Sequence, residues 1–183
     1  MMMISGISFS QLSTTNPDTV CYQPTALSTY TVSSIGSGTY TWTVTSPGVI
    51  TAGQGTNSIS VNWSSASPGL ITNGVSVTFT SADGCSATPV NLNVLIYQVI
   101  PTIQALGPFC ESDPCVTLVG TPTGGTWSGL GVSGNQFCPD NVTNGTNATS
   151  TVTYTVGSAG CTFSTSVVAP VYGTPTLQPI QHN

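Results

Sequence analysis

Six cysteines, five carboxylates, one histidine and three tryptophans are the residues of this 183-residue chain whose types could do chemistry. The cysteines stand at 21, 85, 110, 115, 138 and 161. A zinc site wants two ligand pairs at C-x2–4-C spacing. Cys110 and Cys115 supply one such pair, and the sole imidazole is His182. Disulfides in an oxidising compartment are therefore the better reading. The carboxylates are Asp18, Asp83, Glu111, Asp113 and Asp140. Glu111 and Asp113 stand at i, i+2 and can share a strand face. Asp140 joins them if Cys115 pairs with Cys138. Solvated turn carboxylates are the plain reading of that cluster, and a calcium site at Glu111, Asp113 and Asp140 is the alternative. Calcium wants more oxygen ligands than three carboxylates give, so no cofactor is expected. A Ser-His-Asp triad would have to be built on His182, the sole histidine and the penultimate residue of the sequence. No enzyme is expected.

Charge narrows the partners further. The chain has no lysine and no arginine, and its net charge is −5. Nucleic acid is excluded as a partner, because neutralising phosphates takes basic side chains. Attachment to an anionic membrane surface is excluded on the same ground. No apolar run approaches the roughly 20 residues of a membrane span. The opening "MMMISGISFS" lacks a basic n-region and a small-residue cleavage site, so it does not read as a signal peptide.

The elements that must carry these residues are strands. Apolar residues alternate with Ser and Thr in "TYTWTVT" (39–45), "SISVNW" (58–63), "VSVTFT" (75–80), "TVTYTV" (151–156) and "CTFSTSV" (161–167). Period two is the signature of half-buried antiparallel strands. Turn dipeptides interrupt them, including "NG" at 73–74, "DG" at 83–84 and "GG" at 124–125. The expected fold is all-β, with short strands at sandwich spacing. Trp42 and Trp63 alternate with aliphatics and are expected in the core. Trp127, in "GGTWSGLG", is the tryptophan best placed for an exposed glycan contact.

Two modules follow one plan. Cys21, Trp42 and Cys85 come in order in residues 1–100; Cys110, Trp127 and Cys161 repeat that order in residues 101–173. By this symmetry the expected disulfides are Cys21–Cys85 and Cys110–Cys161, each tying a module's entrance to its penultimate turn. Cys115–Cys138 remains as a staple for the smaller module, whose core is marginal alone. "IPTIQ" at 100–104 recurs as "TPTLQ" at 174–178. Residues 174–183 therefore read as a second junction, or as a donor strand for a following module or subunit. The alternation in "ISGISFSQL" near the N-terminus gives it the role of a first strand or of a reciprocal partner.

The stretches "DTVCYQPTALSTYTV", "TYTWTV", "ITAGQGTNSISVNW" and "FTSADGC" resemble the PKD-like modules of giant cell-surface proteins of Bacteroidota-type bacteria. "GPFCESDPCVTLVGTPTGGTWSGLGVSGNQFCP" with "VTYTVGSAGC" resembles a companion Ig-like module of those proteins. The resemblance implies two tandem Ig-like/PKD-like β-sandwich domains stapled by disulfides, in an extracellular or cell-surface, secreted protein. It makes Trp127 structural.

Two modification signals complete the reading. "DTV" at 18–20 resembles a Bacteroidota O-glycosylation acceptor centred on Thr19. Asn141, Asn144 and Asn147 each open an N-x-[ST] sequon, as does Asn62. The expected function is a structural building block of an extracellular filament or adhesin stalk, whose partners are copies of itself or neighbouring modules, with glycans a further partner. The alternative is a carbohydrate-binding module of a secreted protein.

Overall fold

The computed structural model describes residues 17–23, 26–142, 145–158, 160–175, 177, 179, 180 and 182. The strand expected in "ISGISFSQL" lies outside them. The chain divides into two compact units, with the boundary between Gln98 and Val99. Both are β-sandwiches, and each is described by itself.

In the first unit the strands are β1 (Asp18–Cys21), β2 (Leu27–Thr31), β3 (Gly38–Val44), β4 (Val49–Ala52), β5 (Ser58–Asn62), β6 (Gly69–Ser81) and β7 (Val90–Tyr97). One sheet has the order β1-β7-β6-β3 and the other β2-β5-β4. The alternating residues turn inward as their period demands. Tyr40, Trp42, Ile59, Val61, Trp63, Val75 and Val77 are all buried in one core with Val94 and Ile96. The intervening threonines of β3 face solvent. β3 lies at a sheet edge, and Gln54 covers it: its side-chain amide accepts from Trp42 N at 2.9 Å and donates to Trp42 O at 2.8 Å. A side chain thus supplies what a neighbouring strand would, which blunts the edge.

Asn73–Gly74 is not a turn. It interrupts the β6–β7 register between Ile71 and Val75 as a bulge within one long strand. Asn73 adopts φ 49°, a left-handed conformation that asparagine tolerates better than most residues. The amide freed by the bulge donates to Oδ1 of the buried Asn93 at 2.8 Å. The dipeptide was a correct signal for positive φ, and long-range pairing on both sides decided that the strand continues.

A buried polar chain crosses this core. Trp63 Nε1 donates to Tyr30 Oη at 3.1 Å, and Tyr30 Oη donates to Asp18 Oδ2 at 2.9 Å. Burial first, and then the adjacent Asp18 carboxylate, hold the Tyr30 phenol well above the ordinary tyrosine range. A group whose pKa is raised on folding lends stability that is complete below its unfolded value, near 10 for tyrosine, and is lost as pH climbs toward the folded value. Urea midpoints should therefore fall above about pH 10, with Tyr30 contributing up to about 1.4 kcal/mol per pH unit. Tyr30→Phe should flatten that alkaline arm and cost about 1–3 kcal/mol at neutral pH, because Asp18 and the indole N–H lose their partner. An unchanged alkaline slope in the variant would contradict this assignment.

The second unit contains β8 (Thr102–Ile103), β9 (Phe109–Cys110), β10 (Val116–Thr117), β11 (Gly120–Thr121), β12 (Thr126–Ser128), β13 (Val132–Ser133), β14 (Gln136–Phe137), β15 (Ala148–Ser158) and β16 (Cys161–Tyr172), with one 3-10 turn at Pro139–Asn141. Its sheets run β9-β16-β15-β12 and β10-β14-β13, with β8 and β11 as a separate pair. Strand for strand, these repeat the two sheet orders of the first unit. β9 corresponds to β1, β10 to β2, β12 to β3, and β16 to β7.

The correspondence extends to single hydrogen bonds. Cys21 lies opposite Tyr97, the last residue of β7, and Cys110 lies opposite Tyr172, the last residue of β16. Tyr22 N donates to Tyr97 O, and Glu111 N donates to Tyr172 O, both at 2.8 Å. After β5, Ala66 N donates to Trp63 O; after β14, Asn141 N donates to Cys138 O. Where the first unit fills its core with Trp63, the second has Cys138, joined to Cys115 with a Cα–Cα distance of 4.1 Å.

Two expected disulfides are corrected. Cys85 and Cys110 are free and exposed, so neither Cys21–Cys85 nor Cys110–Cys161 forms. Cys21 and Cys161 are each half of a disulfide. The physical reason is strand direction. All pairings in the larger sheets are antiparallel except the first strand with the last, which is parallel in both units. That places the early cysteine beside the far end of the last strand. Cys21 is level with Tyr97, whereas Cys85 precedes Val90, the whole eight-residue strand away. At about 3.3 Å per residue this exceeds roughly 20 Å. Cys161 opens the twelve-residue β16, and Cys110 sits at its other end, about 35 Å along. A disulfide needs Cα atoms within about 7 Å.

Candidate functional site

The second unit carries a hollow of about 580 Å³. It is built on the register of β12 with β15, which sets Trp127 opposite Tyr154. Their ring centroids are 4.3 Å apart with planes at 33°. Tyr154 is held from three sides. Its hydroxyl donates to Pro122 O at 2.5 Å and accepts from Gly125 N at 2.9 Å. Gly120 and Gly125 pass so close to its ring that a Cβ on either would strike it. Gly125 of "TPTGGTW", with Gly120 just before the run, is therefore set by the Tyr154 ring, whereas Gly124 is set by its backbone, at φ 91°.

Trp127 stands half-buried between the core and the hollow. Thr123, Thr126 and Asn135 add polar groups to the lining, beside Leu118 and Val119. Among the described residues, no carboxylate, histidine or thiol lines it. An apolar ring face with hydroxyl and amide neighbours can stack and hydrogen-bond an uncharged ligand. Tyr154 and the glycines read in the sequence only as strand and turn. What joins them to Trp127 is cross-strand register.

The other sequence candidates are dispersed. Glu111 uses both carboxylate oxygens on backbone amides, Oε1 on Gly145 N at 3.1 Å and Oε2 on Thr174 N at 3.4 Å. Asp113 Oδ2 accepts from Cys110 N at 2.7 Å. Asp113 closes a local turn, and Glu111 ties two segments distant in sequence to the end of β9. Among the described residues, the three metal-capable side chains that come within ligand reach of one another are Cys115, Cys138 and Asp140, and the two sulfurs are already bonded together. His182 is exposed.

Thr19 lies half-buried on the edge strand β1, next to the Asp18 that holds Tyr30. Asn141 is exposed in the 3-10 turn. Asn147 is exposed and accepts Gly173 N at 3.1 Å. Asn144 lies outside the described residues. Asn62 Oδ1 accepts Ser64 N and so shapes its own turn.

A pair of Ig-like, disulfide-bearing sandwiches is a class of fold that is typically non-catalytic. A family model described as PKD-like domain matches residues 9–94, so the first unit is similar to that domain. No curated protein matches the chain. No helix among the described residues is long and apolar enough to cross a membrane.

Proposed function

We propose that this protein is a structural module of an extracellular filament or adhesin stalk, of the kind that PKD-like and Ig-like repeats form in giant cell-surface proteins. The reading is carried by the junction that follows each last strand. After β7 comes Pro101-Thr102-Ile103, and Thr102–Ile103 pairs as β8 with β11. After β16 comes Pro175-Thr176-Leu177, a similar run with leucine in place of isoleucine, and Leu177 and Ile180 are fully exposed. Exposed Leu177 and Ile180, in a run similar to the paired strand, are suited to adding to the sheet of a neighbour. Head-to-tail contact that does not close on itself generates linear assemblies. The disulfides and the PKD-like match point to an oxidising, extracellular setting.

Negative-stain microscopy and sedimentation of the purified protein should show linear polymers, and removal of residues 174–183 should leave monomers. A monodisperse intact chain, or polymers indifferent to the deletion, would reject strand donation. The hollow beside Trp127 favours a second reading, a carbohydrate-binding module. Glycan binding by a monomer, lost in Trp127→Ala, would establish that one instead.

A further inference from the structure

The two units differ at one sheet edge. In the first, β3 sets Tyr40 opposite Phe79 of β6, with ring centroids 4.9 Å apart. In the second, β12 sets Trp127 opposite Tyr154 of β15. A glycine stands two residues before each aromatic, and a Cβ on Gly38 or Gly125 would strike the opposite ring. Tyr40 and Trp127 therefore hold the same place. In the first unit the loop 53–57, between β4 and β5, covers that edge. Gly55 O accepts Tyr40 N at 3.5 Å in an antiparallel bridge, and Gln54 clasps Trp42. Tyr40 is buried. β13 and β14 correspond to β4 and β5, but Gly134-Asn135 is the whole of the turn between them. Trp127 is left half-buried, and the hollow of about 580 Å³ opens beside Trp127, Gly134 and Asn135. Gly125 N donates to the Tyr154 hydroxyl at 2.9 Å rather than to a β15 carbonyl. Along an antiparallel strand, residues two apart aim their N–H groups the same way, so Trp127 turns its N–H away from β15, toward the open edge.

We propose that this edge of β12 accepts the segment 174–180 of a second copy, with Leu177 seated in the hollow against Trp127. This deepens the linear-assembly reading, on which it rests, by naming the acceptor. The occupant is an extended backbone because an extended backbone covers the same edge in the first unit. Other edges are taken: β11 has β8, and β3 has its own loop. Leu177 and Ile180 are the fully exposed large apolar residues, and the hollow offers Trp127, Leu118 and Val119 to them. Leu177 has both an N–H and a C=O, whereas Pro175 and Pro179, two residues to either side, have no N–H. The segment is thus suited to one bridge, at Leu177, like the single bridge that Gly55 makes to Tyr40. The donor is a second copy because of reach. Trp127 is level with Tyr154 and Thr165, seven residues before Tyr172 at the end of β16. Seven strand residues span about 23 Å. Leu177 is five residues past Tyr172 and reaches back at most about 18 Å, short of the hollow of its own copy.

The test uses Leu177→Asp in the full chain. The side chain is fully exposed, so the variant keeps both sandwiches. Wild type should sediment as polymers and Leu177→Asp as a monomer. The isotope-labelled variant, with its donor disabled and its hollow intact, is then titrated with a synthetic peptide of residues 174–181. The amide resonances of Trp127 and Asn135 should shift, and hydrogen exchange of the Trp127 amide should slow by about tenfold or more at saturation. The same peptide carrying Leu177→Asp should move neither. Peptide shifts confined to other strands, or polymers that survive Leu177→Asp, would overturn this acceptor and leave linear assembly standing. Shifts at Trp127 with a neutral oligosaccharide but not with the peptide would make the hollow a glycan site and overturn the proposal as well. A monomeric wild type would remove both the acceptor and the assembly reading.

Discussion

Trp63→Ala should cost the first unit about 3–5 kcal/mol, the range for removing a large aromatic side chain from a packed core. Trp63 is 1% exposed and sits at the end of β5, where both sheets contribute to the core. Its ring lies so close to Gly48 that a Cβ there would strike it. Its truncation opens a cavity that this backbone cannot refill. It also withdraws the indole N–H from Tyr30 Oη, so the chain running to Asp18 loses its first donor. Single domains are typically stable by only 5–15 kcal/mol, so the loss is a large share. Hydrogen exchange of the β5, β6 and β7 amides in increasing urea reads it directly. Trp63→Phe should recover much of the packing but not the hydrogen bond, and should fall between wild type and Trp63→Ala. A shift below about 1 kcal/mol for Trp63→Ala would mean that the core does not depend on this ring.

The second large effect is loss of the Cys115–Cys138 bridge. It spans 23 residues of sequence. By the loop-entropy relation, a closure of that length is worth about 3 kcal/mol. It occupies the place that Trp63 holds in the first unit, and the second unit's buried hydrophobic cluster is smaller. Cys115→Ser with Cys138→Ser should lower the melting temperature of the second unit by about 12–24 °C, given roughly 4–8 °C per kcal/mol at this domain size. Differential scanning calorimetry with and without reductant checks it. If the double variant melted with wild type, the bridge would be incidental to the sandwich.

The sulfur chemistry also shows how far a one-dimensional reading reaches. Symmetry between the two cysteine sets was real: Cys21 and Cys110 occupy the same register position, to the same hydrogen bond. The pairing drawn from it does not form, because the first strand of each unit runs parallel to the last. No local pattern distinguishes the two directions. The parallel pairings join residues more than 60 positions apart. The Trp127 hollow failed to appear for the same reason. "GGTW" and "TVTYTV" are each legible as a turn with a tryptophan and as an alternating strand, and only the Trp127–Tyr154 register brings them together.

What the chain's own order determined was the all-β class, the division into two repeated modules and the inward face of each strand. Side-chain alternation is a property of neighbouring residues, and burial obeys it: Ile59, Val61 and Trp63 turn inward as their spacing demands. Tertiary structure alone decided strand direction and order, and with them which sulfurs meet, which remain exposed and where an aromatic ring borders a hollow. Those outcomes depend on hydrogen-bonded partners far apart in sequence, whose choice is set by closing a whole sandwich around its core.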